Sequence, residues 1–210
     1  MRVVGGELGG RRLAVPRGEA IRPTTDRVRE ALFAILGDVD GFTALDLFAG
    51  TGAVAIEAVS RGAARATLVD TDPGPARANV TALGLEGRCE VVAADSARFL
   101  RGAGERYDLI YIDPPYRLAR RLASTLAELV PGRLTAAGRV VVESATADPI
   151  ELAMPVLDRR ELVEQHGRLH RRGGEGAEHP KGVEVLFVVG VHGDRAHVDH
   201  THDLFADDQR

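Results

Sequence analysis

Residues 44–52 read Ala44-Leu45-Asp46-Leu47-Phe48-Ala49-Gly50-Thr51-Gly52, a short apolar run that stops at two glycines one residue apart. The run has the length and composition of a buried strand, and Val54 to Ser60 continue in a helical pattern that ends at Gly62. Strand, glycine turn and helix in that order form the unit from which parallel α/β sheets are built. Glycines at such a turn let the backbone pass close beneath a ligand while the helix presents its first amide groups to it.

Working outward, the alternation continues to about Val189. Strand-like runs fall at residues 44–48, 66–70, 90–93, 109–112, 139–143, 161–163 and 183–189. Most are nearly continuous in apolar residues, as strands covered on both faces are. Helical patterns run from Pro75 to Leu83 before Gly84, and from Leu118 to Leu129 before Pro131-Gly132. Ahead of the sheet, Val28, Ala31, Leu32, Ile35 and Leu36 keep helical spacing between a Thr24-Thr25-Asp26 cap and Gly37. The pattern predicts a Rossmann-like α/β fold with a mostly parallel seven-stranded sheet and helices on both faces. It divides the chain into a basic N-terminal extension (1–25), one catalytic domain (26–191) and an acidic, histidine-containing tail (192–210) expected to be disordered. A glycine-rich, charged connector at 173–180 is expected to be mobile.

Composition bounds the function. With 210 residues, 44% of them hydrophobic, the chain can bury one substantial core. No apolar run approaches the roughly 18 residues that span a bilayer, and the opening residues lack the apolar stretch of a signal peptide. One cysteine, Cys89, allows no internal disulfide. These features predict a cytoplasmic protein without a membrane anchor. The net charge of −4 and pI near 6.0 argue against a nucleic-acid ligand until the distribution is considered. Residues 1–30 hold seven arginines against four acids, an excess of three positive charges that leaves −7 for the rest.

The glycine turn lacks the third glycine of the dinucleotide fingerprint, since position 55 is alanine, which disfavours a pyrophosphate cradle. Asp70 ends the second strand, where it can accept hydrogen bonds from two ribose hydroxyls. Asp72 is the alternative, though capping of the helix that follows explains it as well. Asp95 and Ser96 follow the third strand, placed for an adenine amino group. With Asp46, Phe48, Ala49, Gly50, Thr51 and Gly52, these residues outline a site for an adenosine-like ligand at the carboxyl edge of the sheet.

The fourth strand ends in Asp113-Pro114-Pro115-Tyr116. Here the sequence resembles the amino-methyltransferases, whose motif at this place reads Asp/Asn-Pro-Pro-Tyr/Phe. The chemistry accounts for the residues. An exocyclic amino group on a nucleobase is a poor nucleophile because its lone pair is delocalised into the ring. Hydrogen bonds from its two N–H groups to the Asp113 carboxylate and the Pro114 carbonyl would turn the nitrogen toward tetrahedral geometry and aim it at a methyl donor. The paired prolines fix the turn, and Tyr116 would stack on a base drawn out of its helix or loop.

Longer strings extend the resemblance. Arg2-Val3-Val4-Gly5-Gly6, Gly10-Arg11-Arg12-Leu13, the run from Arg22-Pro23-Thr24-Thr25-Asp26-Arg27 to Phe33, the glycine turn, Glu57-Ala58-Val59-Ser60-Arg61-Gly62-Ala63 and the Asp-Pro-Pro-Tyr turn together resemble the bacterial RsmD family over about residues 1–145. That resemblance implies S-adenosylmethionine as cofactor and methylation of N2 of a guanine in small-subunit (16S) ribosomal RNA, on that RNA or on the small subunit; no exposed apolar stripe suggests a dimer, so a monomer is expected. It gives Arg2, Arg11, Arg12, Arg22, Thr24 and Arg27 a use as RNA contacts. A DNA adenine or cytosine amino-methyltransferase shares both motifs but needs a target-recognition domain that is not visible. A non-catalytic RNA-binding assembly factor would not need Asp113, and a nicotinamide-dependent oxidoreductase would need the third glycine. The histidines at 192, 197, 200 and 202 have ligand-like spacing but no partner cysteine, and no metal site is expected.

Overall fold

The computed structural model describes residues 1–16, 25–145, 152, 156–163, 168–171 and 183–189. The connector at 173–180, the tail at 192–210, and Arg22 and Thr24 lie outside them. The helices are α1 (Asp26–Leu36), α2 (Ala53–Ser60), α3 (Gly74–Leu83), α4 (Ser96–Arg101) and α5 (Tyr116–Leu129). The strands are β1 (Thr43–Asp46), β2 (Arg65–Asp70), β3 (Cys89–Ala93), β4 (Tyr107–Ile112), β5 (Leu134–Ala145), β6 (Val156–Val163), β7 (Arg168–Arg171) and β8 (Val183–Val189).

Among the described residues, all eight strands form one sheet of order β3-β2-β1-β4-β5-β8-β6-β7. The first five run parallel, with a helix in each crossover. Beyond β5 the sheet turns antiparallel through β8, β6 and β7. The expectation of seven mostly parallel strands is therefore corrected to five parallel strands extended by three antiparallel ones. The extra strand, Arg168-Leu169-His170-Arg171, is too short and too polar to announce itself, and strand direction is not written in apolar content.

Side-chain alternation explains why the central runs are apolar throughout. Ala44, Leu68, Leu109, Tyr111 and Val141 point into one core with α1, α2 and α3. Leu45, Leu47, Val69, Ile110, Ile112, Val140 and Val142 point into a second core with α4 and α5. Each fully buried side chain of this kind stabilises the fold by about 1.5–3 kcal/mol relative to exposure. At α1, Thr25 accepts a hydrogen bond from the Val28 amide at 3.3 Å, and Gly37 ends the helix at φ +70°.

The N-terminal segment is part of this structure. Arg2 and Arg12 bridge as antiparallel partners, and Val3 and Leu13 are buried in the first core. Glu57, wholly buried on α2, accepts hydrogen bonds from the amides of Val4 and Gly5 at 2.7 and 2.8 Å and from Arg61 Nε at 2.8 Å. Arg29, also wholly buried, donates to Asp26 at 2.8 Å and to the Arg2 carbonyl. Gly6 must be glycine: at φ +75°, a β-carbon would fall 1.8 Å from the Ser60 carbonyl oxygen. Among the described residues no helix is long and apolar enough to cross a membrane.

Candidate active site

The site lies where the carboxyl ends of β1, β2, β3 and β4 meet. After Asp46 the chain turns through residues 47–52 into α2, held by Leu47 N to the Tyr111 carbonyl and Ala49 N to the Val69 carbonyl, both at 3.1 Å. Gly52 caps α2 in the left-handed region at φ +78° and offers no side chain to the helix. A β-carbon there would meet the buried Leu68 at 2.7 Å, which with the left-handed backbone keeps the position for glycine. The opening of α2, where the Ala55 amide already meets Asp46, suits an anionic or strongly polar ligand group at Ala53 and Val54.

Asp70 braces this turn. Its Oδ2 accepts from Gly50 N at 2.7 Å and its Oδ1 from Asp72 N at 2.9 Å. Each carboxylate oxygen keeps a second acceptor direction for a ligand hydroxyl. Asp72 is exposed and receives Gly74 N at 3.3 Å, the local capping role weighed against a ligand role. Asp95 caps α4, and both of its bonds, from Ala97 N at 3.0 Å and Arg98 N at 3.2 Å, end on Oδ1. Beside it the buried Ser96 Oγ has no hydrogen-bond partner. Asp46, 3% exposed, accepts a long bond of 3.4 Å from Phe48 N and a backbone hydrogen bond from Ala55. Burial, then the charge of Asp70, pushes its carboxyl up to about 7.

Asp113 is half-buried one residue beyond β4, Pro114 is buried, and Pro115 caps α5, of which Tyr116 is the first residue. The pairing of Asp46 with Tyr111 sets this turn directly beside the glycine turn. Arg2, Arg11, Arg12 and Arg27 are all exposed. Arg2 and Arg12 line an open cleft of about 600 Å³ with Met1, Gly10, Leu13 and Asp26, where Arg2 Nε lies 3.4 Å from Asp26.

Two buried polar residues are not among the site candidates the sequence offers. Asn79, on α3, is buried and donates to the Thr51 carbonyl at 2.9 Å. Glu57 leaves a trace, since one carboxylate in the otherwise apolar Ala53–Ser60 helix calls for buried partners. Cys89 is buried, its thiol pushed up to about 11 by burial, so it takes no part as a nucleophile.

A five-stranded parallel sheet of this order, with a glycine turn after its central strand and an acid after the next, is the Rossmann-like α/β fold of the methyltransferases. A solved structure described as a putative methyltransferase from Escherichia coli superposes with a TM-score of 0.70 at 30% identity, covering 91% of this chain and 99% of that one. The chain belongs to the family described as conserved hypothetical protein 95, whose model matches residues 1–165, and which is the RsmD family. It is 41% identical over 120 residues to the Escherichia coli ribosomal RNA small subunit methyltransferase D, covering 56% of this chain and 61% of that protein's length. It is 40% identical over 124 residues to a putative rRNA methyltransferase of Bacillus subtilis, covering 56% of this chain and 67% of that protein.

Proposed function

We propose that the protein is an S-adenosylmethionine-dependent methyltransferase that methylates N2 of a guanine in small-subunit ribosomal RNA, working as a cytoplasmic monomer. The observation that carries the reading is the Asp113-Pro114-Pro115-Tyr116 turn at the end of β4, set by strand register against the glycine turn of β1. The names of the two relatives support the substrate class.

The residues present fit the cofactor. Asp70 would take the ribose hydroxyls, and Asp95 Oδ2 with the unpartnered Ser96 Oγ would serve the adenine edge. The glycine turn and the amides of Ala53 and Val54 would receive the polar end, with Asp46, Phe48, Ala49 and Thr51 shaping the wall. When bound, the cofactor supplies an electrophilic methyl group on sulfur.

The protein's own contribution is to position and activate the base. The Asp113 carboxylate and Pro114 carbonyl accept the two amino hydrogens, which localises the nitrogen lone pair and directs it toward the methyl carbon. Transfer of the methyl group would break its bond to sulfur, leaving a neutral thioether, as the bond to nitrogen forms, and the proton the nitrogen then sheds would be received by Asp113 and passed to solvent. Pro115 holds the turn rigid and Tyr116 stacks on the flipped base. Arg2, Arg11, Arg12, Arg22, Thr24 and Arg27, within residues 1–25 or close to them, hold phosphates around the target.

The test is incubation with tritiated S-adenosylmethionine and, in parallel, unmodified small subunits, their naked RNA and duplex DNA, followed by nucleoside analysis. Label in N2-methylguanosine is expected. Label in DNA adenine or cytosine, or no label despite cofactor binding, would overturn the reading.

A further inference from the structure

The N-terminal segment and the cofactor turn meet at one side chain. Asn79 Oδ1 accepts from Ala14 N at 2.7 Å, and Nδ2 donates to the Ala14 carbonyl at 3.0 Å and to the Thr51 carbonyl at 2.9 Å. The amide thus pairs with the Ala14 backbone as a neighbouring strand would, and spends its other hydrogen on the peptide between Thr51 and Gly52. Asn79 is 2% exposed and Thr51 is 5% exposed, so water does not substitute freely at the bond between them, whereas Ala14 lies at the surface. Ala14 follows Arg11 and Arg12 by three and two residues, and both arginines are exposed.

We infer that Asn79 is a positioning residue that links RNA engagement at Arg11 and Arg12 to the affinity of the glycine turn for the cofactor. The inference rests on the methyltransferase reading above. When residues 11–14 are docked, the amide plane of Asn79 is fixed by two bonds to Ala14, and its third bond holds the Thr51 carbonyl. That bond sets the peptide leading into Gly52, whose left-handed conformation starts α2. When residues 11–14 lift away, Asn79 keeps one bond of three and its amide is free to rotate, so the turn loses its fixed geometry. Phosphates gathered by Arg11 and Arg12 favour the docked arrangement. Because the two equilibria share one state, the effect is reciprocal: the cofactor must tighten RNA by the factor by which RNA tightens the cofactor.

The experiment measures the dissociation constant of S-adenosylhomocysteine, which binds without turnover, with and without an unmodified small-subunit ribosomal RNA transcript. In the wild type the transcript is expected to tighten binding by roughly tenfold. In Asn79→Ala the factor is expected to fall to near one, while RNA and cofactor each still bind. Asn79→Asp keeps the acceptor for Ala14 N but cannot donate to Thr51, and is expected to lose the coupling too. Hydrogen exchange on the wild type gives a readout independent of either variant's folding: the amides of residues 51–53 are expected to slow when the transcript is added without cofactor. An unchanged wild-type affinity, a tenfold effect that survives in Asn79→Ala, or unchanged exchange at residues 51–53 would each overturn the inference and leave the methyltransferase reading standing. A transcript that fails to bind at all would overturn the inference, whereas the methyltransferase reading is decided separately by where the tritium label appears.

Discussion

The amide of Gly50 donates to the Asp70 carboxylate at 2.7 Å, so the residue read as the ribose acceptor is also the brace of the glycine turn. Two losses therefore follow from one substitution. Asp70→Ala removes a charge-assisted bond from the turn along with the proposed ribose contact. Calorimetry with S-adenosylhomocysteine is expected to show affinity reduced by at least about tenfold, since bonds to charged groups contribute about 1.5–3 kcal/mol each.

Asp113→Ala should leave cofactor affinity within about twofold of the wild type and lower the rate of methyl transfer by roughly 10²–10³, the usual cost of removing one positioned transition-state hydrogen bond. Single-turnover assays with saturating RNA separate the two quantities. Transfer at the wild-type rate would remove Asp113 from the mechanism.

Asp46 gives the protein a characteristic pH dependence. Its carboxyl is pushed from the ordinary 3.8 up to about 7 by burial, so the folded state holds a proton that the unfolded state has released. The stabilisation is complete below about pH 4 and is lost as pH rises through about 7. Asp46→Asn, which cannot ionise, is expected to flatten the decline between about pH 4 and 7 in urea midpoints. A parallel decline in the variant would assign the pH dependence elsewhere.

Glu57→Ala leaves Arg29 buried near an absent carboxylate and strips the amides of Val4 and Gly5 of their acceptor. Breaking a buried charged network in this way costs about 3–5 kcal/mol. Chemical unfolding should report that loss, and trypsin should cut at Arg11 and Arg12 faster than in the wild type.

Deleting residues 1–25 would confound RNA binding with folding, because Val3 and Leu13 belong to the core. Replacing the exposed Arg2, Arg11 and Arg12 by alanine separates them. RNA affinity is expected to fall at low salt, and the slope of log affinity against log salt to flatten by about 0.7 for each phosphate no longer neutralised.

What the sequence made legible was local. The glycine turn, the strand-end acids, the Asp-Pro-Pro-Tyr turn and the Thr25 and Gly37 caps are each written within a few adjacent residues. Helix α4 leaves no such mark, because six residues span less than two turns, too few to show a period. Asn79 and Glu57 are hidden for a different reason. Their backbone partners lie 28 to 65 residues away, and nothing in the local pattern says which backbone groups a buried amide or carboxylate will satisfy. The reversal of direction after β5 is equally hidden, since an apolar strand reads the same either way.

The anchoring of the N-terminal segment on Glu57 also bears on the order in which the molecule assembles. The amides of Val4 and Gly5 wait for a carboxylate 53 and 52 residues further along, and that carboxylate is in place only once α2 has packed on the sheet. A contact of that span carries a loop-closure cost that only the finished pairing repays. Residues 3–13 therefore come before α2 in the chain yet cannot take up their docked arrangement until it has formed.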